Sequence, residues 1–145
     1  MSPIDANAVR HERPFTFSPR EIFAAFEAAD RIARWWGPAG FTNTFQQFAL
    51  EVGSHWLYVM HGPTNADFPN ESIVRELVRD SKIVIEHISA PHFTLTVTLT
   101  PRDGGTQLVW HQAFDSAEFA EKMRPIVEPA NEQNLDRLQA FLERR

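Results

Sequence analysis

The feature that most constrains the fold is a change of hydrophobic period along the chain. Between residues 41 and 114, short runs rich in β-branched and aromatic residues alternate with turn residues. This predicts strands near 43–50, 54–61, 71–79, 82–88, 92–101 and 106–114. The intervening turns, Gly62-Pro63-Thr64-Asn65-Ala66-Asp67, Arg79-Asp80-Ser81 and Asp103-Gly104-Gly105, are short. A parallel crossover needs about a dozen residues or more, so these strands are antiparallel neighbours in one meandering sheet. A sheet with one apolar face must be covered. The C-terminal segment can do this, because Asn131, Leu135, Leu138 and Leu142 follow one another at +4, +3 and +4, one helical face. Pro129 is expected to open that last helix, after a shorter one that Ser116 caps and Pro125 ends.

Ahead of the sheet, residues 1–8 read as a tail and 9–145 as a single domain, which the length of 145 residues suits. Val9 to Phe17 reads as a strand, placed at an edge by Pro14, with Arg10, Glu12 and Arg13 outward. Ser18-Pro19-Arg20-Glu21 has the form of a capping box, with proline at the first helical position. Ile22, Phe26, Ala29, Ala33 and Trp36 then trace one face of a helix that stops at Gly37-Pro38. The expected class is α+β, a curved antiparallel sheet of six to seven strands wrapped on a long C-terminal helix.

Successive strand residues point to opposite faces, so alternation assigns the inner face. Trp56, Tyr58 and Met60 form the bulky set of one strand. Ile83, Ile85 and His87 are preferred in the next, because the alternative would bury Glu86. Phe93, Leu95, Val97 and Leu99 face inward with threonines outside, as do Leu108, Trp110, Gln112 and Phe114. With 12 Phe, 4 Trp and 1 Tyr to cover, an apolar cavity between sheet and helix is expected. Its lining is expected to include Trp56, Tyr58, Ile85, Leu95, Val97, Trp110 and Leu135, with Trp35 at the entrance. His87, Gln112 and Asn131 fall on otherwise apolar faces, with Asn134 beside the helical stripe. Buried polar groups need hydrogen bonds. They satisfy one another and the backbone, or they hold the polar end of a ligand.

Other chemistry is sparse. A net charge of −5 without a basic run argues against nucleic acid. No stretch approaches the ~20 apolar residues that span a bilayer, and no apolar leader opens the chain. Zero cysteines exclude disulfides and thiolate chemistry, and a cytoplasmic setting is expected. His11, His55, His61, His87, His92 and His111 lack metal-ligand spacing, and Asp67 with Asn65 and Asn70 lacks that of a calcium loop. Ser18, Ser54, Ser81 and Ser116 stand at caps or turns. No cofactor motif is present. General acid–base work has three candidates: His87 as a base, Tyr58 as a donor, and Glu76 if its strand turns it inward.

Three local motifs carry a family likeness. They are Arg34-Trp35-Trp36-Gly37-Pro38 with Phe41-Thr42; Gly53-Ser54-His55-Trp56 through Met60-His61-Gly62-Pro63; and Gly105-Thr106 with Leu135-Asp136-Arg137-Leu138. With the element order, they resemble the polyketide-cyclase/START-like (SRPBCC) superfamily over residues 9 to 143. The family most similar is that of the homologues of the heat-shock-protein-90 ATPase activator. The resemblance implies a helix-grip fold and a cavity for hydrophobic ligands. Where relatives often have Gly-Trp at the start of the last helix, an aromatic residue near His87, and His after the late Thr-rich strand, this chain has Ala130-Asn131, His87 and Gln112. These departures imply a cavity more polar at one end.

The function expected is non-catalytic binding of a small hydrophobic or amphipathic molecule. The alternatives are a cyclase- or dehydratase-like enzyme acting on a polyketide-like or aromatic substrate, and a co-chaperone-like protein interaction. The last ranks lowest, because the eukaryotic activator carries a further domain for chaperone binding. A homodimer through the edge strand at 9–17 or an aromatic rim is left open.

Overall fold

In the computed structural model of the chain, residues 6–144 are described. Most of the expected tail lies outside that range, and strand β1 (Ala8–Phe15) begins within its last residue. After β1 come α1 (Pro19–Ala24), α2 (Ala29–Ile32), β2 (Thr42–Gln47), β3 (His55–His61) and β4 (Asp67–Val78). Then follow β5 (Lys82–His87), β6 (Phe93–Arg102), β7 (Gly105–Phe114) and α3 (Ala117–Arg144). Every strand pairing is antiparallel, in the order β1-β7-β6-β5-β4-β3-β2. Seven strands thus curve around one long helix, the helix-grip arrangement.

The capping box forms as its sequence requires: Ser18 Oγ accepts from Glu21 N, and Glu21 accepts from Ser18 N. The single helix expected from Pro19 to Trp36 does not form. It breaks after Ala24 and resumes as α2, with Ala28 extended at the new N-terminus. The break frees two carbonyls for side chains. Arg31 Nη1 donates to Ala24 O at 3.0 Å and Trp35 Nε1 to Ala25 O at 3.1 Å. Trp35 then packs edge-on against Phe26, with ring centroids 4.8 Å apart.

The C-terminal expectation is corrected in the opposite sense. Ser116 Oγ accepts from Phe119 N, but α3 runs on through both Pro125 and Pro129. Each proline withholds an N–H from the carbonyl four residues earlier. Pro125, Pro129 and Glu121 all lie on the exposed face of α3, where water can serve the freed carbonyls. The opposite face buries Leu135, Leu138 and Leu142 against the sheet.

Inside the sheet, the inward residues are those alternation assigns: Trp56, Tyr58, Ile83, Ile85, His87, Leu95, Val97, Leu99, Leu108, Trp110 and Phe114 are buried. Strand β1 differs in one detail. Arg13 shares the parity of the buried His11 and Phe15, and both His11 and Arg13 bond Glu132 of α3. Gly105 marks the closest backbone approach, because a Cβ there would collide with the Phe15 carbonyl oxygen.

Candidate functional site

A cavity of about 210 Å³ lies between the inner face of the sheet and α3. Trp36, Met60, Phe93, Leu95 and Trp110 form its apolar walls, and Tyr58, Asn70, His87, Gln112, Asn131 and Asn134 its polar part, with Gly37 and Pro91 completing the lining. Of the residues expected there from sequence, Tyr58, His87, Leu95, Trp110, Gln112, Asn131 and Asn134 come together. The others do not. Trp56, Ile85, Val97 and Leu135 are buried in the packed core beside the cavity, at most 2% exposed. Trp35 is wholly buried rather than at an entrance, and its neighbour Trp36 takes the place beside the cavity. The tight turn after α2 makes this exchange, since it sends the Trp35 indole back to Ala25.

The condition set for Glu76, that its strand turn it inward, is not met. A register shift between Val74 and Glu76 inserts Arg75 as a bulge opposite β5. Before the bulge Val74 is inward opposite Ile85, and after it Leu77 is inward opposite Ile83. Glu76 is thereby turned outward, where Lys82 Nζ lies 3.2 Å from its carboxylate. It takes no part in the cavity.

Strand positions explain how the polar groups converge. Tyr58 on β3 stands opposite Asn70 on β4, and Ser72 opposite His87 on β5. His87 Nδ1 lies 2.7 Å from Pro91 O, and His87 Nε2 lies 2.6 Å from Asn70 Oδ1. A carbonyl only accepts, so Nδ1 carries a proton. Burial holds the His87 pKa below its ordinary 6.5; the bond to the Pro91 carbonyl works the other way, and the charge on His92 adds to the lowering. His92 itself is held above 6.5 by the carboxylates of Glu86 and Asp115, each 2.6 Å from one of its nitrogens.

At the other end of the polar group, Trp36 Nε1 donates to the Tyr58 hydroxyl at 3.3 Å. Burial raises the Tyr58 pKa above 10.0 against the opposing bonds with Trp36 and Ser72, so the phenol stays protonated. Asn131 Nδ2 donates to Gln112 Oε1 at 2.9 Å, and Asn134 Nδ2 to Trp35 O at 2.7 Å. These bonds tie α3 to β7 and to the turn after α2. The indole N–H of Trp110 is buried and has no acceptor among the described residues.

Sequence reasoning left out Trp36, Gly37, Met60, Asn70, Pro91 and Phe93. Met60 and Phe93 were legible as inward residues of their strands. Asn70 was hidden because the strand after the Gly62–Asp67 turn is expected only from residue 71, whereas β4 begins at Asp67 and gives Asn70 the inward parity of Ser72 and Val74.

A second, wider groove of about 400 Å³ lies between α2 and the end of α3, lined by Asp30, Arg31, Arg34, Arg137, Ala140, Phe141 and Arg144. One of its cationic groups, Arg137, is spent on structure. Nη1 donates to the carbonyls of Trp36, Gly37 and Pro38, and Nη2 to that of Arg34. Among the described residues, no cluster of three or more His, Asp or Glu is disposed to hold a metal, and no helix is long and apolar enough to cross a membrane.

Comparison with known proteins follows the geometry. The profile of the family described as activator of Hsp90 ATPase homolog 1-like protein matches residues 16–143. No curated protein matches the chain. Among solved structures, a protein from Nitrosomonas europaea superposes with a TM-score of 0.87 at 14% identity, covering 98% of each chain. One from Arthrobacter aurescens gives 0.89 at 19% identity, covering 100% of this chain and 91% of that one. The AHSA1 protein from Silicibacter pomeroyi gives 0.75 at 17% identity, covering 94% and 97%. At such identities these likenesses establish the shared fold.

Proposed function

Because the chain belongs to the activator of Hsp90 ATPase homolog 1-like family, we propose that it binds a small, largely apolar molecule in the cavity between sheet and α3, without transforming it. One observation carries this reading: uncharged polar side chains from β3, β4, β5, β7 and α3 converge on an otherwise aromatic cavity. Small-molecule sites are built in this way, with apolar walls and a few placed polar groups. Filling the space with protein side chains would have been simpler had stability alone been at stake.

The cyclase-like reading has less support. His87 Nε2 is covered by Asn70 Oδ1 at 2.6 Å, so a substrate proton reaches it only if Asn70 moves. The co-chaperone reading rests on the family's name.

The test is native mass spectrometry of the protein as purified from cells, with a thermal-shift screen of small aromatic and lipid-like compounds. A co-purifying small molecule, or a melting temperature raised by ligands and no longer raised after Leu95→Trp fills the cavity, supports the reading. Absence of both overturns it.

A further inference from the structure

We propose that this cavity selects an uncharged, flat ring compound whose edge carries a hydrogen-bond donor beside an acceptor, as a lactam does. The inference rests on the cavity being a ligand site, and narrows what that ligand is.

Charge is the first discriminator. No Asp, Glu, Lys or Arg lines the cavity. Its titratable members are Tyr58, kept protonated by burial, and His87, kept neutral near pH 7 by burial. A carboxylate or ammonium entering here would shed water without meeting a counter-charge, which is costly. Fatty acids, amines and phosphorylated compounds are disfavoured on this ground.

Shape and size come next. The rings of His87 and Phe93 stack at 4.5 Å with only 9° between their planes, so a planar ligand can continue the stack on an outer face. The indoles of Trp36 and Trp110 add further aromatic surface, 6.0 Å apart. At ordinary packing density, about 210 Å³ holds roughly ten to twelve non-hydrogen atoms. That is the size of a two-ring compound; a sterol or a long acyl chain would have to extend out of the cavity into water.

The hydrogen-bond inventory then sets the polar edge. Gln112 accepts from Asn131 at its carbonyl, and Asn131 and Asn134 have each committed one N–H of their amide nitrogen. The groups these bonds leave over are donors, Gln112 Nε2 and the second N–H of Asn131 and of Asn134, and two acceptors, Asn131 Oδ1 and Asn134 Oδ1. Trp110 adds an indole N–H without an acceptor. A ligand edge with C=O beside N–H answers both kinds. A carboxylate would face the asparagine carbonyls with no donor to offer, and a plain hydrocarbon would leave every one of these groups unpaired.

Calorimetric titration with three two-ring probes decides the matter: quinolin-2-one, which is a neutral lactam; naphthalene, which has no polar edge; and 2-naphthoate, which is anionic. The expected result is quinolin-2-one binding at least about tenfold more tightly than either other probe. Gln112→Met or Asn131→Leu should abolish that preference and leave naphthalene affinity unchanged or improved. Circular dichroism checks that each variant is folded; if neither is, the ranking on the unaltered protein stands as the test. Equal affinities, or 2-naphthoate as the tightest, overturn this inference while leaving the ligand site intact. If none of the three binds but the wider screen finds a ligand excluded by Leu95→Trp, only this inference falls.

Discussion

Nε2 of His87 and Oδ1 of Asn70 lie 2.6 Å apart across neighbouring strands, while Asn70 Nδ2 is already given to Phe68 O at 2.7 Å. The pair therefore meets oxygen to nitrogen. With Nδ1 donating to Pro91, a neutral His87 offers a bare Nε2 to an acceptor. A second proton on Nε2 would complete the bond to Asn70, and burial opposes that proton.

Burial prevails in the direction of the shift, and a pH dependence follows. Above about pH 6.5, His87 is neutral in both folded and unfolded chains and has no effect on stability. As pH falls below 6.5, the unfolded chain takes up a proton that folded His87 resists. Stability is lost over that window until the lower folded pKa is passed. His92, with its raised pKa, contributes the opposite sign over the same range, so the loss is read as the difference between the unaltered protein and His87→Gln in urea unfolding at pH 7.5, 6.0 and 5.0, the variant losing less. Asn70→Asp should raise the His87 pKa above that of the unaltered protein, read directly by NMR titration of the ring.

Tyr58→Phe tests the buried bonds of the Tyr58 hydroxyl with Trp36 and Ser72. The substitution keeps the ring stacked on Phe45, at 4.8 Å between centroids, and removes the acceptor of Trp36 Nε1. A buried indole N–H left unpaired should cost about 1–2 kcal/mol, measured by chemical denaturation. Tryptophan emission should shift as well, since the Trp36 N–H changes partner.

Glu76→Gln tests the bulge at Arg75. An outward Glu76 paired with Lys82 at the surface contributes little, so the variant should differ by less than about 0.5 kcal/mol in stability. Ligand affinity should not change. A large loss of either would mean that Glu76 reaches the cavity.

The contrast between Glu76 and His87 shows what alternation can and cannot reveal. Strands β5, β6 and β7 are regular, so parity places His87, Leu95, Trp110 and Gln112 on the inner face directly. A bulge adds one residue without altering composition or propensity, so the reversal of parity within β4 leaves no trace in the residue types. Parity also says nothing about depth. Ile85 and Val97 share the face of His87 and Leu95, yet are buried in the packed core and do not line the cavity. The helices show the same limit, because the prolines of α3 are tolerated only on account of the face they occupy, which depends on the finished packing. Asn70 was concealed by Pro69 and the turn-forming residues before it, which read as loop although the chain is already paired with β3.

Arg137 joins two motifs that are far apart in the chain. Its guanidinium bonds the carbonyls of Arg34, Trp36, Gly37 and Pro38, the same segment that places Trp36 against the cavity and Trp35 in the core. Gly37 has φ of +94° there, a conformation that favours glycine, and an added Cβ would stand 2.6 Å from Met60 Cε. The turn thus leaves carbonyls pointing to one side, and the planar fork of an arginine can serve several of them together. A lysine keeps the charge but lacks the fork. Arg137→Lys should therefore cost about 2 kcal/mol in unfolding free energy. Because the turn also holds Trp36, the variant should lose affinity for cavity ligands by more than Glu76→Gln does. A stability within about 0.5 kcal/mol of the unaltered protein would show that the turn holds its shape without the fork.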